Sequence, residues 1–273
     1  MKPYLKKLED GNYVPMIGLG TWQLTDEKCI NSVKEAIKIG YTLIDTAEIY
    51  GNLDEIAKAI KGVKREKLFI TSKIYKDHLN PKIVESRVDE NLNRLKTDYL
   101  DLYLIHWPDR TKPMNDVLYE MLKQKEKGKI KSIGVSNFTI NHINDILKQG
   151  LKIEVNQVEY HPFLNQAELL NFCRKNFISI EAYCPLARGN ILHDPIIKSF
   201  SIKYNKTSAQ ISLKWLIQKD IIAIPSASSK EHLKENFDIF DFEISLEDCK
   251  KIDEISFLRP KRIITGDFAD FEY

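Results

Sequence analysis

The stretch GYTLIDTAEIYGN (residues 40–52) joins two patterns that seldom meet. It opens as an apolar, β-rich run, Tyr41-Thr42-Leu43-Ile44, and closes on polar groups, Asp45, Glu48 and Tyr50. Asp and Thr suit loop-to-helix junctions, so a helix cap is one reading. The other is a buried strand whose C-terminal end opens into a site, where parallel α/β folds place their working residues.

Working outward from this stretch, short β-rich runs alternate with longer amphipathic segments along all 273 residues. Strands are predicted at Met16–Gly20, Thr42–Ala47, Leu68–Ile74, Tyr99–Trp107, Ser132–Asn137, Glu154–Tyr160, Ile178–Pro185 and Ile221–Pro225. Several are apolar on consecutive residues, as in Leu102-Tyr103-Leu104-Ile105, the pattern of strands buried on both faces. Helical patterns fall near 27–39, 53–61, 81–95, 114–127, 140–149, 166–176, 208–219 and 246–256. Start signals accompany several of them: Asn80-Pro81, Thr207 with Gln210, and Ser245 ahead of Glu247 and Asp248. Eight such units without a linker or a composition break predict a single (β/α)8 TIM barrel spanning residues 1–273. An open doubly wound sheet is disfavoured by the missing Gly-rich first turn. Tyr4–Val14, with a turn at Asp10-Gly11 or Gly11-Asn12, predicts an N-terminal β-hairpin able to plug the barrel. An extra short helix at 230–237 follows the eighth strand.

Composition excludes several classes of partner. Lys+Arg 41 against Asp+Glu 39 gives no global field for nucleic acid or an anionic membrane. No apolar run approaches the roughly 20 residues of a membrane span, and the first 20 residues lack a signal-like core. These features predict a soluble, cytoplasmic protein, a monomer or weak oligomer, acting on a small molecule. Cys29, Cys173, Cys184 and Cys249 are scattered without a C-x-x-C, so reduced thiols are expected and no metal.

Active residues of such a barrel lie at the C-terminal ends of its strands. The second predicted strand brings Asp45, with Tyr50 just after it; the third, FITSKI, brings Lys73; the fourth, LYLIHWP, brings His106. An ammonium beside a phenol favours the phenolate and lowers the Tyr pKa from about 10. A carboxylate keeps that ammonium charged and oriented, and an imidazole can hydrogen-bond a substrate oxygen. Together they suit protonation of an oxygen that is becoming an alkoxide, as carbonyl reduction requires once hydride arrives from elsewhere. Glu48 has no part in this scheme and is expected to be solvated.

With ITSKI, LIHWP, GVSNF, NQVEYHP and EAYCPL following GYTLIDTAEIYGN in order and at fitting intervals, the chain resembles an aldo-keto reductase over nearly its whole length. The resemblance implies a catalytic tetrad of Asp45, Tyr50, Lys73 and His106, with Tyr50 as proton donor. It implies a nicotinamide cofactor, NADPH (NADP+), bound without a Rossmann domain. Ser136, Asn137 and Gln157 would hydrogen-bond the carboxamide, Tyr183 would stack on the nicotinamide ring, and Leu186 would touch the pyrophosphate. In IPSASSKEHLKENF the family's two usual basic positions hold Ser226 and His232. Ser228, Ser229 and Lys230 remain to meet the adenosine phosphate, and Glu235 and Asn236 the adenine. A 2′-phosphate prefers fixed guanidinium or ammonium partners. NADPH binding is therefore expected to be less exclusive than is usual, with NADH also used and Lys230 or His232 supplying charge.

Trp22 and Trp107 are candidate walls of an aromatic substrate pocket, with Tyr50 and His106 between them. The segment 187–206 is expected to fold over the pyrophosphate, and the tail from Phe257 to close one side of the pocket. A Tyr-x-x-x-Lys pair of another oxidoreductase class, Tyr119 and Lys123, falls on the wetter face of helix 114–127. An aldolase using Lys73 as a Schiff base would leave Asp45, Tyr50 and the Ser136-Asn137 pair unexplained. A nucleotide-binding regulatory or structural barrel subunit with little turnover is the alternative function.

Overall fold

The computed structural model describes residues 4–266 and 269–273. A hairpin of β1 (Leu5–Lys7) and β2 (Tyr13–Pro15) leads the chain, paired antiparallel from Leu5↔Pro15 to Lys7↔Tyr13. Gly11, at φ +91°, supplies the left-handed turn between them. Eight parallel strands follow: β3 (Gly18–Gly20), β4 (Leu43–Asp45), β5 (Phe69–Ile74), β6 (Leu100–Ile105), β7 (Ile130–Ser136), β8 (Val155–Glu159), β9 (Ser179–Tyr183) and β10 (Ile222–Ala223). Neighbours in sequence are neighbours in the sheet. The ring closes where β10 meets the lead-in to β3, through the Ile17↔Ala223 bridge and the bond from Ala223 N–H to Met16 O, 2.9 Å.

The alternating helices are α1 (Asp26–Ile39), α2 (Leu53–Ile60), α3 (Val84–Leu95), α4 (Met114–Glu126), α5 (Ile140–Lys148), α6 (Ala167–Lys175), α7 (Pro195–Tyr204), α8 (Ser208–Gln218), α9 (Lys230–Phe237) and α10 (Leu246–Leu258). The sequence signals for their starts hold: Thr207 and Gln210 form a reciprocal capping box, and Ser245 accepts from Asp248 N–H. Asn80-Pro81 opens a 3-10 turn that leads into α3. One helix was not predicted. Segment 187–206 is not a single loop but carries α7, capped by Asp194, which accepts from Ile196 and Ile197 N–H ahead of Pro195. That is the same cap-plus-proline signal as Asn80-Pro81, and it was readable.

The apolar runs split by face, as a period of two requires. Leu43, Phe69, Leu102, Leu104, Val155 and Ile222 pack into one cluster with Leu8, Val14 and Met16, so the hairpin plugs the barrel's interior. Ile44, Ile70, Tyr103, Ile105 and Ile180 belong instead to the outer cluster beneath the helices. This alternation decides where the polar residues point. Asp45 lies two residues beyond interior-facing Leu43, Lys73 four beyond Phe69, and Gln157 two beyond Val155. All three enter the barrel from its C-terminal end, one layer above the apolar fill.

Candidate active site

Asp45 ends β4, and the 3-10 turn Glu48–Tyr50, stopped by Gly51 at φ +71°, swings Tyr50 back over the mouth. Lys73 Nζ reaches up from β5 to Asp45 Oδ1 at 2.7 Å, Thr46 O at 2.9 Å and Tyr50 OH at 3.3 Å. These are the three donors an ammonium has, all used in a site where Lys73 is fully buried. His106, just past β6, stands edge-on to the Tyr50 ring with centroids 5.7 Å apart. The four residues predicted from three adjacent strands therefore meet at one point.

Electrostatics correct one expectation. The Tyr50 phenol is not lowered toward neutrality. Burial first, then the nearby Asp45, Cys184 and Glu181, hold its pKa well above the ordinary value. Tyr50 therefore keeps its proton in the resting site. Burial also raises the Asp45 carboxyl, against the pull of Lys73 and of Gln157. His106 is pushed well below its ordinary value by burial and by the Lys73 charge, so it is a neutral imidazole. Its Nδ1 is buried without a partner among the described residues.

Two groups were missed by sequence reasoning. Glu181, on β9 opposite Gln157, is fully buried, and its Oε1 accepts from Gln157 Nε2 at 2.5 Å. The same Nε2 donates to Asp45 Oδ2 at 2.8 Å, so Gln157 separates two acids. Burial, with Asp45 adding to it, raises the Glu181 carboxyl to about 8, which makes it a neutral acid at pH 7. Tyr75 is the second: it lines the cavity and meets the His106 ring edge-on at 5.9 Å. A carboxylate inside an otherwise apolar strand was the available signal for Glu181; Tyr75 offered none.

Glu48 is a correction. It is buried rather than solvated, and it binds the Arg87 guanidinium (2.8 and 3.0 Å), His78 Nδ1 (2.7 Å) and the Tyr75 N–H (2.7 Å). It fixes the loop after β5 to α3, close behind the mouth. Asn52, at the N-cap position of α2, makes no capping bond with its side chain. Its buried side chain accepts from Thr46 Oγ1 and donates to Thr21 O and Leu24 O, tying two mouth loops together.

Next to the tetrad lies a shelf of polar side chains. Asn137 Nδ2 donates to His106 O and Ser136 Oγ, each at 3.0 Å, while Asn137 Oδ1 accepts from Tyr183 OH at 2.7 Å. Ser136 Oγ accepts within the shelf, which leaves its O–H to donate outward. Gln157 spends both hydrogens on the two acids, which leaves its Oε1 as an acceptor. An outward donor beside an outward acceptor fits a carboxamide, so the residues present suit a nicotinamide.

Tyr50, His106, Trp107, Ser136, Asn137, Gln157, Tyr183 and Leu186 all line a cavity of about 770 Å³ at the mouth. Trp22 is not core: it is 41% exposed on that cavity's rim, with the Arg188 guanidinium 4.8 Å from its ring centroid. Trp107 is buried, its ring facing Phe271 of the tail at 6.0 Å. Ser226 also lines the cavity, whereas Ser228, Ser229, Lys230, His232, Glu235 and Asn236 do not. Those six sit on or just ahead of α9, where Ser229 Oγ accepts from His232 N–H. Lys230 is engaged, its Nζ 3.1 Å from Glu35 of α1. Tyr119 and Lys123 are exposed on α4, Lys123 paired with Glu120, so they form no site. All four thiols are raised by burial to about 11 or 12 and are weakly nucleophilic.

A parallel barrel with a proton-holding phenol over a buried ammonium, beside a shelf of polar groups that suits a carboxamide, belongs to the oxidoreductases that reduce carbonyl groups with a nicotinamide nucleotide. The chain is a member of the Aldo/keto reductase family, whose sequence model matches residues 16–256. It is 42% identical to the glyoxal reductase of Bacillus subtilis over 254 residues, 92% of each chain. It is 37% identical to the methylglyoxal reductase DkgA of Escherichia coli over 260 residues, again 92% of each. The crystal structure of an aldo/keto reductase from Brucella melitensis superimposes with a TM-score of 0.89 at 40% identity, covering 93% of this chain and 99% of that one. No helix among the described residues is long and apolar enough to cross a membrane.

Proposed function

We propose that this carbonyl reductase acts on small aldehydes and ketones, α-dicarbonyls among them, with Tyr50 as the proton donor. One observation carries the assignment: a phenol held neutral by its surroundings lies 3.3 Å from a fully buried ammonium. The substrate oxygen sits between Tyr50 OH and the neutral His106, which donates one N–H to it. Ser136, Asn137, Gln157 and Tyr183 would hold a nicotinamide, which would supply the hydride. As negative charge grows on the substrate oxygen, Tyr50 releases its proton to it. The charge then left on the Tyr50 oxygen meets Lys73 Nζ, which Asp45 and Thr46 O hold in place. In a buried site that stabilisation needs no rearrangement of water. Lys73 therefore does not ionise Tyr50 in advance; it favours the phenolate only as the proton leaves.

The similarity to glyoxal and methylglyoxal reductases supports the dicarbonyl class, and the aromatic rim of Trp22, Tyr75 and Trp107 supports apolar aldehydes as well. The nucleotide is NADPH or NADH, with neither used exclusively. Ser226, Ser228 and Ser229 offer hydroxyls to a 2′-phosphate, Lys230 is shared with Glu35, and His232 is exposed. Steady-state kinetics on an aldehyde panel with both nucleotides tests this; a preference for NADPH above about a thousandfold would refute dual use. Tyr50→Phe is expected to leave nucleotide affinity near wild type and to lower kcat by about 10²–10⁴. Retained turnover would displace Tyr50 as donor. Tight nucleotide binding by the wild type with no turnover of any carbonyl would favour a binding subunit instead.

A further inference from the structure

The motif NQVEYHP supplies Gln157 to the site, yet its Glu159 and His161 have no part in the chemistry. Both are fully buried. Glu159 ends β8 in register with Tyr183, so it stands at the mouth above Gln157. His161 Nε2 lies 2.8 Å from Glu159 Oε1. The remaining partners of the carboxylate come from the tail, more than a hundred residues along the chain. Ile263 N–H donates to Oε1 at 2.6 Å and Ile264 N–H to Oε2 at 2.8 Å. Burial alone would raise the Glu159 carboxyl, but His161 and the two amides outweigh it and hold it below its ordinary range.

Other bonds hold the tail on either side of this clamp, Lys261 Nζ to Asn190 before it and Arg110 to Asp270 and Tyr273 OH to Asp145 after it. Beyond α10 the tail's described residues have no helix or strand. Between Pro260 and Gly266 its backbone donors find partners, among the described residues, only at Phe163 O, from Lys261, and at the Glu159 carboxylate. Ile263, Ile264 and Thr265 line the same cavity as Tyr50 and His106. Two oxygens facing two successive amides fix both the position and the rotation of that segment, which a single bond would not.

We propose that Glu159 is a positioning residue for substrate selection, whose carboxylate clamps the Ile263 and Ile264 amides and so sets the tail-side wall of the carbonyl pocket. Substrates long enough to reach Ile263 and Ile264 depend on the clamp; a three-carbon dicarbonyl held at Tyr50 and His106 does not. The proposal rests on the reading of this cavity as the carbonyl site, and its test separates the two.

In the full-length protein, Glu159→Gln keeps the side chain's shape but turns one acceptor into a donor facing an amide. Hydrogen exchange of the 259–266 segment is expected to speed up at least tenfold. With an aromatic aldehyde the KM should rise about tenfold, and with methylglyoxal less than twofold, while kcat falls no more than about threefold with either. Ile263→Ala with Ile264→Ala, which trims the wall but leaves the clamp, should give the same KM split, and adding Glu159→Gln should not double it. If Glu159→Gln does not fold, Glu159→Asp carries the test: one methylene shorter, it holds one amide, and about a threefold rise in aldehyde KM is expected. Unchanged exchange, or faster exchange without a KM split between the two substrates, overturns the proposal. Absence of turnover in the wild type would remove the carbonyl-site reading, while the exchange measurement would still report whether Glu159 holds the tail.

Discussion

Replacing Glu181 by Gln makes the sharpest test of the electrostatics under the site. The side chain is fully buried, Oε1 bonds Gln157 Nε2, and Oε2 has no partner among the described residues. Its carboxyl stands at about 8 in the folded chain against an ordinary 4.5. Between those values the native protein holds a proton that the unfolded chain has released. Stability then falls as pH rises, because the unfolded state binds fewer protons. The contribution is fully present below about pH 4.5 and is lost by about pH 8. At about 1.4 kcal/mol per unit the whole shift is worth at most about 5 kcal/mol. Relaxation around the ionised group reduces this to an expected loss of about 2–4 kcal/mol.

Glu181→Gln preserves the acceptor toward Gln157 and cannot ionise, so it lacks this slope. Urea unfolding of both proteins at pH 5.5, 7 and 8.5 provides the measurement. The pH dependence of every other group cancels in the difference between them, provided those groups are independent of Glu181. The variant should gain on the wild type by about 1.5–3 kcal/mol between the lowest and highest pH, since part of the effect is already lost at pH 5.5. A difference that stays flat would mean that Glu181 is already ionised in the native protein, and the neutral-acid reading would fail.

The Tyr50 phenol, held well above its ordinary value, predicts that kcat/KM for carbonyl reduction shows no alkaline limb due to Tyr50 below about pH 10; a descending limb that disappears in Tyr50→Phe residual activity at pH 7–8 would contradict it. Glu48→Ala leaves Arg87 without its buried partner and frees the Tyr75 loop. It should cost about 3–5 kcal/mol in unfolding experiments and raise the KM for aromatic aldehydes. At Gly134 an added Cβ would lie 2.4 Å from Val155 O and 2.8 Å from Leu104 Cδ2. Gly134→Ala should thus destabilise by about 3 kcal/mol or more. Gly51→Ala, in open space at φ +71°, should cost only about 1 kcal/mol. Ser226→Lys with His232→Arg should raise NADPH use relative to NADH by about ten- to a hundredfold, read as the ratio of kcat/KM values.

The fold was legible because its signal is local. Consecutive apolar residues such as Leu102–Ile105 announce a strand buried on both faces, and eight of them alternating with helices leave little choice of topology. Asp45, Lys73 and His106 were legible because a strand's last interior-facing residue must point into the mouth. What escaped depends on distant partners. Whether Glu48 is solvated or buried turns on Arg87, 39 residues later, and nothing beside Glu48 in the sequence reveals it. The Glu159 clamp spans 104 and 105 residues. Helix α7 is different in kind: Asp194-Pro195 announced it in the same terms as Asn80-Pro81, and the loop expected there hid it. The fall predicted for the Tyr50 pKa failed because sequence supplies the neighbouring charge but not the burial that opposes it.

Burial also explains why the layer above the apolar fill has the composition it has. Lys73 has three donors, and the site works only if one of them stays on Tyr50. Asp45 Oδ1 and Thr46 O take the other two. A second ionised acid within reach would compete for the third and pull the ammonium away from the phenol. Glu181, in the same layer on β9 across Gln157 from Asp45, would be such an acid if it ionised. Two features keep it from competing. Gln157 stands between it and Asp45, giving one amide hydrogen to each, and burial keeps Glu181 neutral. The buried set then carries one ammonium against one carboxylate, a balance that a low-dielectric interior tolerates and an extra charge would break. Lys73 is held by the charge of Asp45, and the neutrality of Glu181 leaves that pairing unopposed.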